Sequence, residues 1–171
     1  ITKVIEPVLK RNAGSIYYIN ISQDDFKLGG SSFAQILNKI GNEAPTVKDA
    51  SYVKTIFNTI QKLIKDAYIV AGHDVASGGL ITTLLELCFA YNNLGGELNL
   101  SALSVKASIT LLFSENAGIV IQSKDASIES VLKSAEIEFF NIVKVTESNL
   151  LSNKNNTDNF NLNILKLRDS W

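Results

Sequence analysis

The chain is predicted to fold as a layered α/β domain, and three features carry that expectation. Short runs of β-branched and aromatic residues recur between turn residues. One long segment repeats its apolar residues at the helical period. The two kinds of segment alternate along the chain, a pattern that buries both faces of a sheet under helices. The 171 residues suit one domain with a sizeable core, and 46% hydrophobic against 19% charged residues is a globular balance.

Each element follows from its residues. Ser15-Ile-Tyr-Tyr-Ile-Asn-Ile-Ser22 reads as a strand. Lys27 to Gly41 reads as a Gly pair followed by a helix, with Ser31 or Ser32 as its cap and Gly41 closing it. Asp49 caps the best helix, whose apolar positions are Val53, Ile56, Phe57, Ile60, Leu63, Ile64 and Ala67; Lys54, Lys62, Lys65 and Asp66 form its solvated face. Tyr68 to Ala71 is a short buried strand. Leu80, Ile81, Leu84, Leu85, Cys88 and Phe89 line one face of the next helix. Asn92 to Gly96 reads as a turn and Glu97 to Leu103 as a strand, whereas Ser108 to Phe113 fits a short helix or a strand. Ala117 to Gln122 reads as a strand, Asp125 to Ala135 as a capped helix and Phe139 to Val145 as a strand. Ser152 to Asp158 is a loop leading to a last strand near Phe160 to Ile164. The total is four or five strands with four helices.

Composition narrows the function classes. A net charge of -1 gives no basic footprint for nucleic acid. One cysteine excludes a disulfide framework and a cysteine-based zinc site, and suits a reducing compartment. No apolar run reaches the length of a membrane span, and Ile1 to Lys10 lacks the apolar core of a signal peptide. A cytoplasmic setting is expected. The chain starts at Ile1, has no methionine, and stops at Leu165-Lys-Leu-Arg-Asp-Ser-Trp171, where an apolar pattern is beginning. We expect a single domain over 1–171 excised from a longer polypeptide, with 1–14 as a lead-in and 165–171 as the start of a linker.

The segment richest in chemistry is Tyr68-Ile-Val-Ala-Gly-His-Asp-Val-Ala-Ser-Gly-Gly-Leu80. An apolar run ends in the carboxylate of Asp74, and a Gly pair then opens a helix. Helix N-termini attract phosphate, and a carboxylate beside them is what a phosphate-bound magnesium ion needs. Half of a nucleotide–metal site is the implied chemistry. On the residues alone, Asp74 fits a helix cap as well as a metal ligand, and Gly78 and Gly79 fit tight packing as well as phosphate proximity. Gly29, Gly30 and Ser31 fit an anion cradle or a plain cap. His73 reads as a core or supporting residue before a general base, Glu115 as a solvated turn residue before a site residue, Cys88 as core and Trp171 as an exposed interdomain contact.

Three motifs in order extend this. Leu28-Gly-Gly-Ser-Ser-Phe-Ala-Gln35, Gly72-His-Asp-Val-Ala-Ser-Gly-Gly-Leu80 and Leu112-Phe-Ser-Glu-Asn-Ala-Gly118 resemble the LGGSxxAQ, HDxSDGGL and LFSExxG elements of the phosphoribosylformylglycinamidine synthase family. The resemblance implies the second C-terminal-type domain of the synthetase half. Its fold would be a three-layer α-β-α arrangement around a mixed sheet, like the C-terminal domain of aminoimidazole ribonucleotide synthetase. It implies a ligase that uses ATP and magnesium to activate formylglycinamide ribonucleotide for attack by glutamine-derived ammonia. The expected cofactors are therefore ATP or ADP and Mg2+. The expected partners are the ribonucleotide and the other synthetase and glutaminase domains of the same chain. Asp74 matches the family's magnesium aspartate. Ala76 stands where the family often has a serine contacting ATP and Ser77 where it usually has aspartate; with Gly78 and Gly79 they would make the nucleotide side. No catalytic residue is expected in this chain, and alone it would be inactive. The family's two pseudo-equivalent nucleotide sites differ, and Asp74 fits the structural one. The departures at 76 and 77 favour a rival class, a structural and interaction module with vestigial nucleotide binding. Selenophosphate synthetase and thiamine-phosphate kinase, from the same superfamily, fit the ordered motifs less well.

Overall fold

A computed structural model describes residues 3–103, 108–154 and 158–171. The centre of the expected Asn-rich loop, 155–157, lies outside the described residues, as do Ile1 and Thr2 of the lead-in. One seven-stranded mixed sheet runs through the molecule. Its strands are β1 (Ile16–Asn20), β2 (Ile69–Asp74), β3 (Gly95–Leu98), β4 (Gly118–Ser123), β5 (Phe140–Thr146), β6 (Leu150–Asn153) and β7 (Phe160–Asn163), in the order β2-β4-β1-β5-β3-β6-β7. The β3–β6 pair is parallel and the other neighbours are antiparallel. The helices are α1 (Ser32–Ile36), α2 (Ala50–Lys65), α3 (Gly79–Cys88), α4 (Ser108–Phe113), α5 (Ile128–Ser134) and α6 (Ile164–Ser170).

The expected three layers are present. β1 is an interior strand, paired on both sides by β4 and β5, and its near-continuous apolar run is covered on both faces. Ile16 and Tyr18 enter a core shared with Leu80, Leu84 and Leu87 of α3, Leu111 and Leu112 of α4, and Ile164 of α6. Tyr17 and Ile19 enter a second core with Ile56, Ile60 and Leu63 of α2 and Ile128 and Leu132 of α5. The lead-in is held against the sheet: Leu9 is buried, the Lys10 backbone N–H donates to Gln122 Oε1 at 2.7 Å, and Gln122 Nε2 donates to Lys10 O at 2.9 Å.

Several elements differ from the sequence reading. α1 ends at Ile36 rather than running to Gly41, because Asn38 adopts a left-handed conformation (φ 53°) and the Lys39 N–H bonds back to Ala34 O at 2.8 Å. On α2 the stripe is narrower than expected. Ile56, Ile60 and Leu63 face the sheet, while Phe57, one residue round the helix, is 62% exposed. β2 runs past Ala71 to Asp74, since its pairing with β4 continues to Asp74 opposite Ile119. Gly95 and Gly96 begin β3 rather than ending a turn, and the strand stops at Leu98 instead of Leu103. Ser108–Phe113 is helical. β6 was not anticipated, and Ile164, read as the end of the last strand, opens α6.

Candidate nucleotide–metal site

The sheet topology gathers the three motifs. β1 and β2 both run antiparallel to β4. The C-terminal ends of β1 and β2 therefore meet the N-terminal end of β4 at one edge. The loops after β1 and β2 and the segment before β4 share that end.

Asp74 is the last residue of β2, and its carboxylate is 80% exposed. Val75 next to it is buried and donates its N–H to Gly118 O at 2.9 Å, which pins the chain against β4. Ala76 and Ser77 are exposed, Gly78 is half-buried and Gly79 is buried. The Gly pair answers to geometry. Gly78 and Gly79 have φ of 86° and 75°, left-handed values that L side chains rarely adopt. A Cβ on Gly79 would also lie 2.7 Å from the carbonyl oxygens of Leu112 and Ser114.

His73 is a supporting residue rather than a core one. Its Nε2 lies 3.1 Å from Glu86 Oε2, and its Nδ1 lies 2.8 Å from Asp74 O and 3.4 Å from Asp74 Oδ1. Thr83 donates its hydroxyl to the same Asp74 carbonyl at 3.2 Å. Contacts from β2 and α3 thus fix the backbone of Asp74 while its carboxylate stays in solvent.

Glu115 departs from the sequence reading. Read as a solvated turn residue, it is half-buried, and its Oε1 accepts from Gly78 N at 2.8 Å and Ser32 N at 2.9 Å. Burial alone would push its carboxyl up. The N–H groups of Ser32 and Gly78 outweigh that, with help from the Ser32 hydroxyl, and hold it below its ordinary range. The Gly78 N–H therefore has a protein partner, and the Gly79 N–H donates to Ala76 O at 3.0 Å. On the other loop, Ser31 caps α1, its Oγ accepting from Ala34 N at 3.2 Å.

A second network lies at this end and was not anticipated as one. The Asp24 side chain is 0% exposed, yet Lys48 and Lys27 reach it at 2.8 and 2.9 Å and Thr46 N at 3.0 Å. The Lys48 and Lys27 ammonium groups hold its carboxyl well below the usual range against the opposing effect of burial. Asn116, 1% exposed, donates to Ser22 Oγ, Asp24 O and Asp25 O at 3.0 to 3.3 Å. The sequence signal was thin: acids just past a strand, and an Asn after Glu115.

The other candidates are structural. Cys88 is buried in the α3 core, and burial pushes its thiol up to about 12. Trp171 is 77% exposed, its ring 6.2 Å from that of Phe89. Asp74 offers the hard oxygen donor that magnesium takes. Among the described residues, no three His, Cys, Asp or Glu side chains are grouped to hold a metal ion. No helix is long and apolar enough to cross a membrane among those residues.

Comparison with known proteins bears on the family and the fold. The chain is 33% identical over 177 residues to the probable phosphoribosylformylglycinamidine synthase, chloroplastic/mitochondrial, of Arabidopsis thaliana, covering 100% of this chain and 12% of that protein. It is 30% identical over 190 residues to the probable phosphoribosylformylglycinamidine synthase of Caenorhabditis elegans, again along 100% of this chain and 14% of that protein. The Dictyostelium discoideum phosphoribosylformylglycinamidine synthase is 38% identical over 140 residues, 77% of this chain and 10% of that one. The chain thus spans a small part of the length of the relatives it matches. Among solved structures, Thermotoga maritima PurL complexed with FGAR superposes with a TM-score of 0.72 at 14% identity, over 96% of this chain and 29% of that one. The hydrogenase maturation protein HypE gives 0.63 at 16% identity, over 95% and 56%. At such identities the likeness is one of fold. Residues 20–152 match the family model described as AIR synthase related protein, C-terminal domain, and the chain belongs to that family.

Proposed function

We propose that the chain is one domain of an ATP-dependent ligase of purine biosynthesis. The reaction converts formylglycinamide ribonucleotide and glutamine-derived ammonia to formylglycinamidine ribonucleotide, and this domain supplies part of a magnesium–nucleotide site. The observation that carries the proposal is Asp74, an 80% exposed carboxylate at the end of β2 whose backbone is fixed by Val75, His73 and Thr83. Its setting supports the assignment: the whole of this chain aligns with a small part of proteins named as that synthase. A bound magnesium ion would supply positive charge to phosphoryl oxygens. Asp74 would hold it, and Ala76 and Ser77 would border the nucleotide. The donors of Gly78 and Gly79 are taken within the chain, so these glycines would act by allowing close approach rather than by donating. One carboxylate cannot complete an octahedral shell. The remaining ligands would come from other synthetase domains of the same polypeptide, which would also carry the glutaminase domain. The single buried Cys88 suits a cytoplasmic enzyme.

The full-length protein, given ATP, Mg2+, glutamine and formylglycinamide ribonucleotide, should form the amidine. An intact, folded enzyme that forms none overturns the proposal. A second reading, a structural module with vestigial nucleotide binding, is favoured by the satisfied Gly78 and Gly79 N–H groups and by the missing hydroxyl at Ala76. It requires that the nucleotide be retained no better with Asp74 than without it.

A further inference from the structure

We propose that Glu115 is a positioning residue of the Asp74 site, its carboxylate clasping the starts of α1 and α3 and so setting the loop that carries Asp74, Ala76 and Ser77. The inference rests on the nucleotide–metal reading above and deepens it. Both donors to Glu115 Oε1 are at helix starts: Ser32 is the first residue of α1, and Gly78 is the cap of α3. N–H groups there lack partners inside their helices, and the helix dipoles favour a negative charge at that point. A half-buried carboxylate between two such ends stays ionised at neutral pH and ties them together. The carboxylate is itself well anchored, because its neighbours Ser114 and Asn116 are buried and Asn116 bonds three groups of the loop after β1.

The consequence for the site is geometric. The exposed pair Ala76 and Ser77 hangs between two anchors. One is Val75 N on Gly118 O at 2.9 Å, the other Gly78 N on Glu115 Oε1 at 2.8 Å. The acceptors are the first residue of β4 and a residue of the segment that leads into it. Cutting the second anchor frees the loop without touching Asp74. The same carboxylate links this loop to the Leu28–Gln35 motif, so a change at Ser32 should be felt at a site to which Ser32 contributes no group.

The test cuts the clasp from the far side. Ser32→Pro removes only one backbone N–H and the hydroxyl. Proline suits the first turn of a helix, and Ser31, at φ -70° and ψ 157°, already has the conformation a following proline requires. Ser32→Ala removes the hydroxyl but keeps the N–H, and Glu115→Gln keeps the size and an acceptor but removes the charge. ADP affinity in the presence of Mg2+ is measured by calorimetry on the full-length protein, with folding checked by circular dichroism at the assay temperature. Ser32→Pro and Glu115→Gln should each weaken binding about tenfold, the scale of one hydrogen bond, while Ser32→Ala, which gives up only the smaller contribution of the hydroxyl, should lose clearly less. With folding retained, a loss shared by a variant that keeps Glu115 and a variant that keeps the Ser32 N–H is what cutting the same contact from either side produces. If either clasp variant folds and binds Mg2+–ADP as tightly as the wild type, the role of Glu115 is overturned. Wild-type protein that binds no Mg2+–ADP overturns the site itself.

Discussion

Replacing Gly79 by alanine should separate two costs that a glycine at a helix start can hide. Gly30 and Gly79 have nearly the same left-handed φ, 74° and 75°. A Cβ on Gly30 would meet nothing within 4 Å, whereas one on Gly79 would lie 2.7 Å from the carbonyl oxygens of Leu112 and Ser114. Gly30→Ala therefore carries only the left-handed strain, about 1 kcal/mol. Gly79→Ala carries that strain and an overlap with fixed backbone, which brings the total to about 3 kcal/mol by analogy with overpacked cores. For a domain of this size each kcal/mol lowers Tm by roughly 2–4 °C. Gly30→Ala should thus melt about 2–4 °C below wild type and Gly79→Ala about 6–12 °C below, by circular dichroism. Equal melting temperatures would show that the close approach of α3 to the segment before β4 is wrong. The placement of Gly78 against Glu115 would fall with it.

Two further outcomes follow from the charged and buried groups. The carboxyl of Asp24 is held low by Lys48 and Lys27. Its contribution to stability is therefore complete above the ordinary aspartate range near about pH 4 and is lost as pH falls below it. Asp24→Asn should lower Tm at pH 7 and flatten its fall in acid; a Tm profile parallel to wild type would contradict the buried ion pairs. Cys88, with its thiol pushed up to about 12 by burial, should resist a thiol reagent at pH 8 until denaturant unfolds the chain. Prompt labelling under native conditions would contradict its place in the α3 core.

Much of the architecture was legible because single elements were locally consistent. The β1 segment has apolar residues facing both ways, and α2 has a cap and a stripe that agree; each appears where its residues put it. Strand ends were less legible, because they depend on partners far along the chain. β2 reaches Asp74 only through its pairing with β4, and Gly95–Gly96 can form β3 because β5 and β6 take them up. β6 is four residues with no apolar alternation to announce it. For the site, Asp74 and its Gly pair stood out as a strand–acid–Gly–helix pattern. Glu115 did not: its meaning lies in two N–H groups brought from 83 and 37 residues away in sequence. The same distance hid the fact that Gly78's donor is already used.

If Asp74 binds the metal of a magnesium–nucleotide site, replacing it should remove the magnesium dependence of nucleotide binding. Asp74→Asn removes a charge from an exposed side chain, so the fold should survive and Tm should stay within about a degree or two of wild type. The measurement is ADP affinity of the full-length protein with and without Mg2+. Mg2+ should tighten ADP binding in the wild type, and Asp74→Asn should abolish most of that gain with little change in metal-free binding. An Asp74→Asn protein that keeps the full Mg2+-dependent gain would contradict metal binding by Asp74.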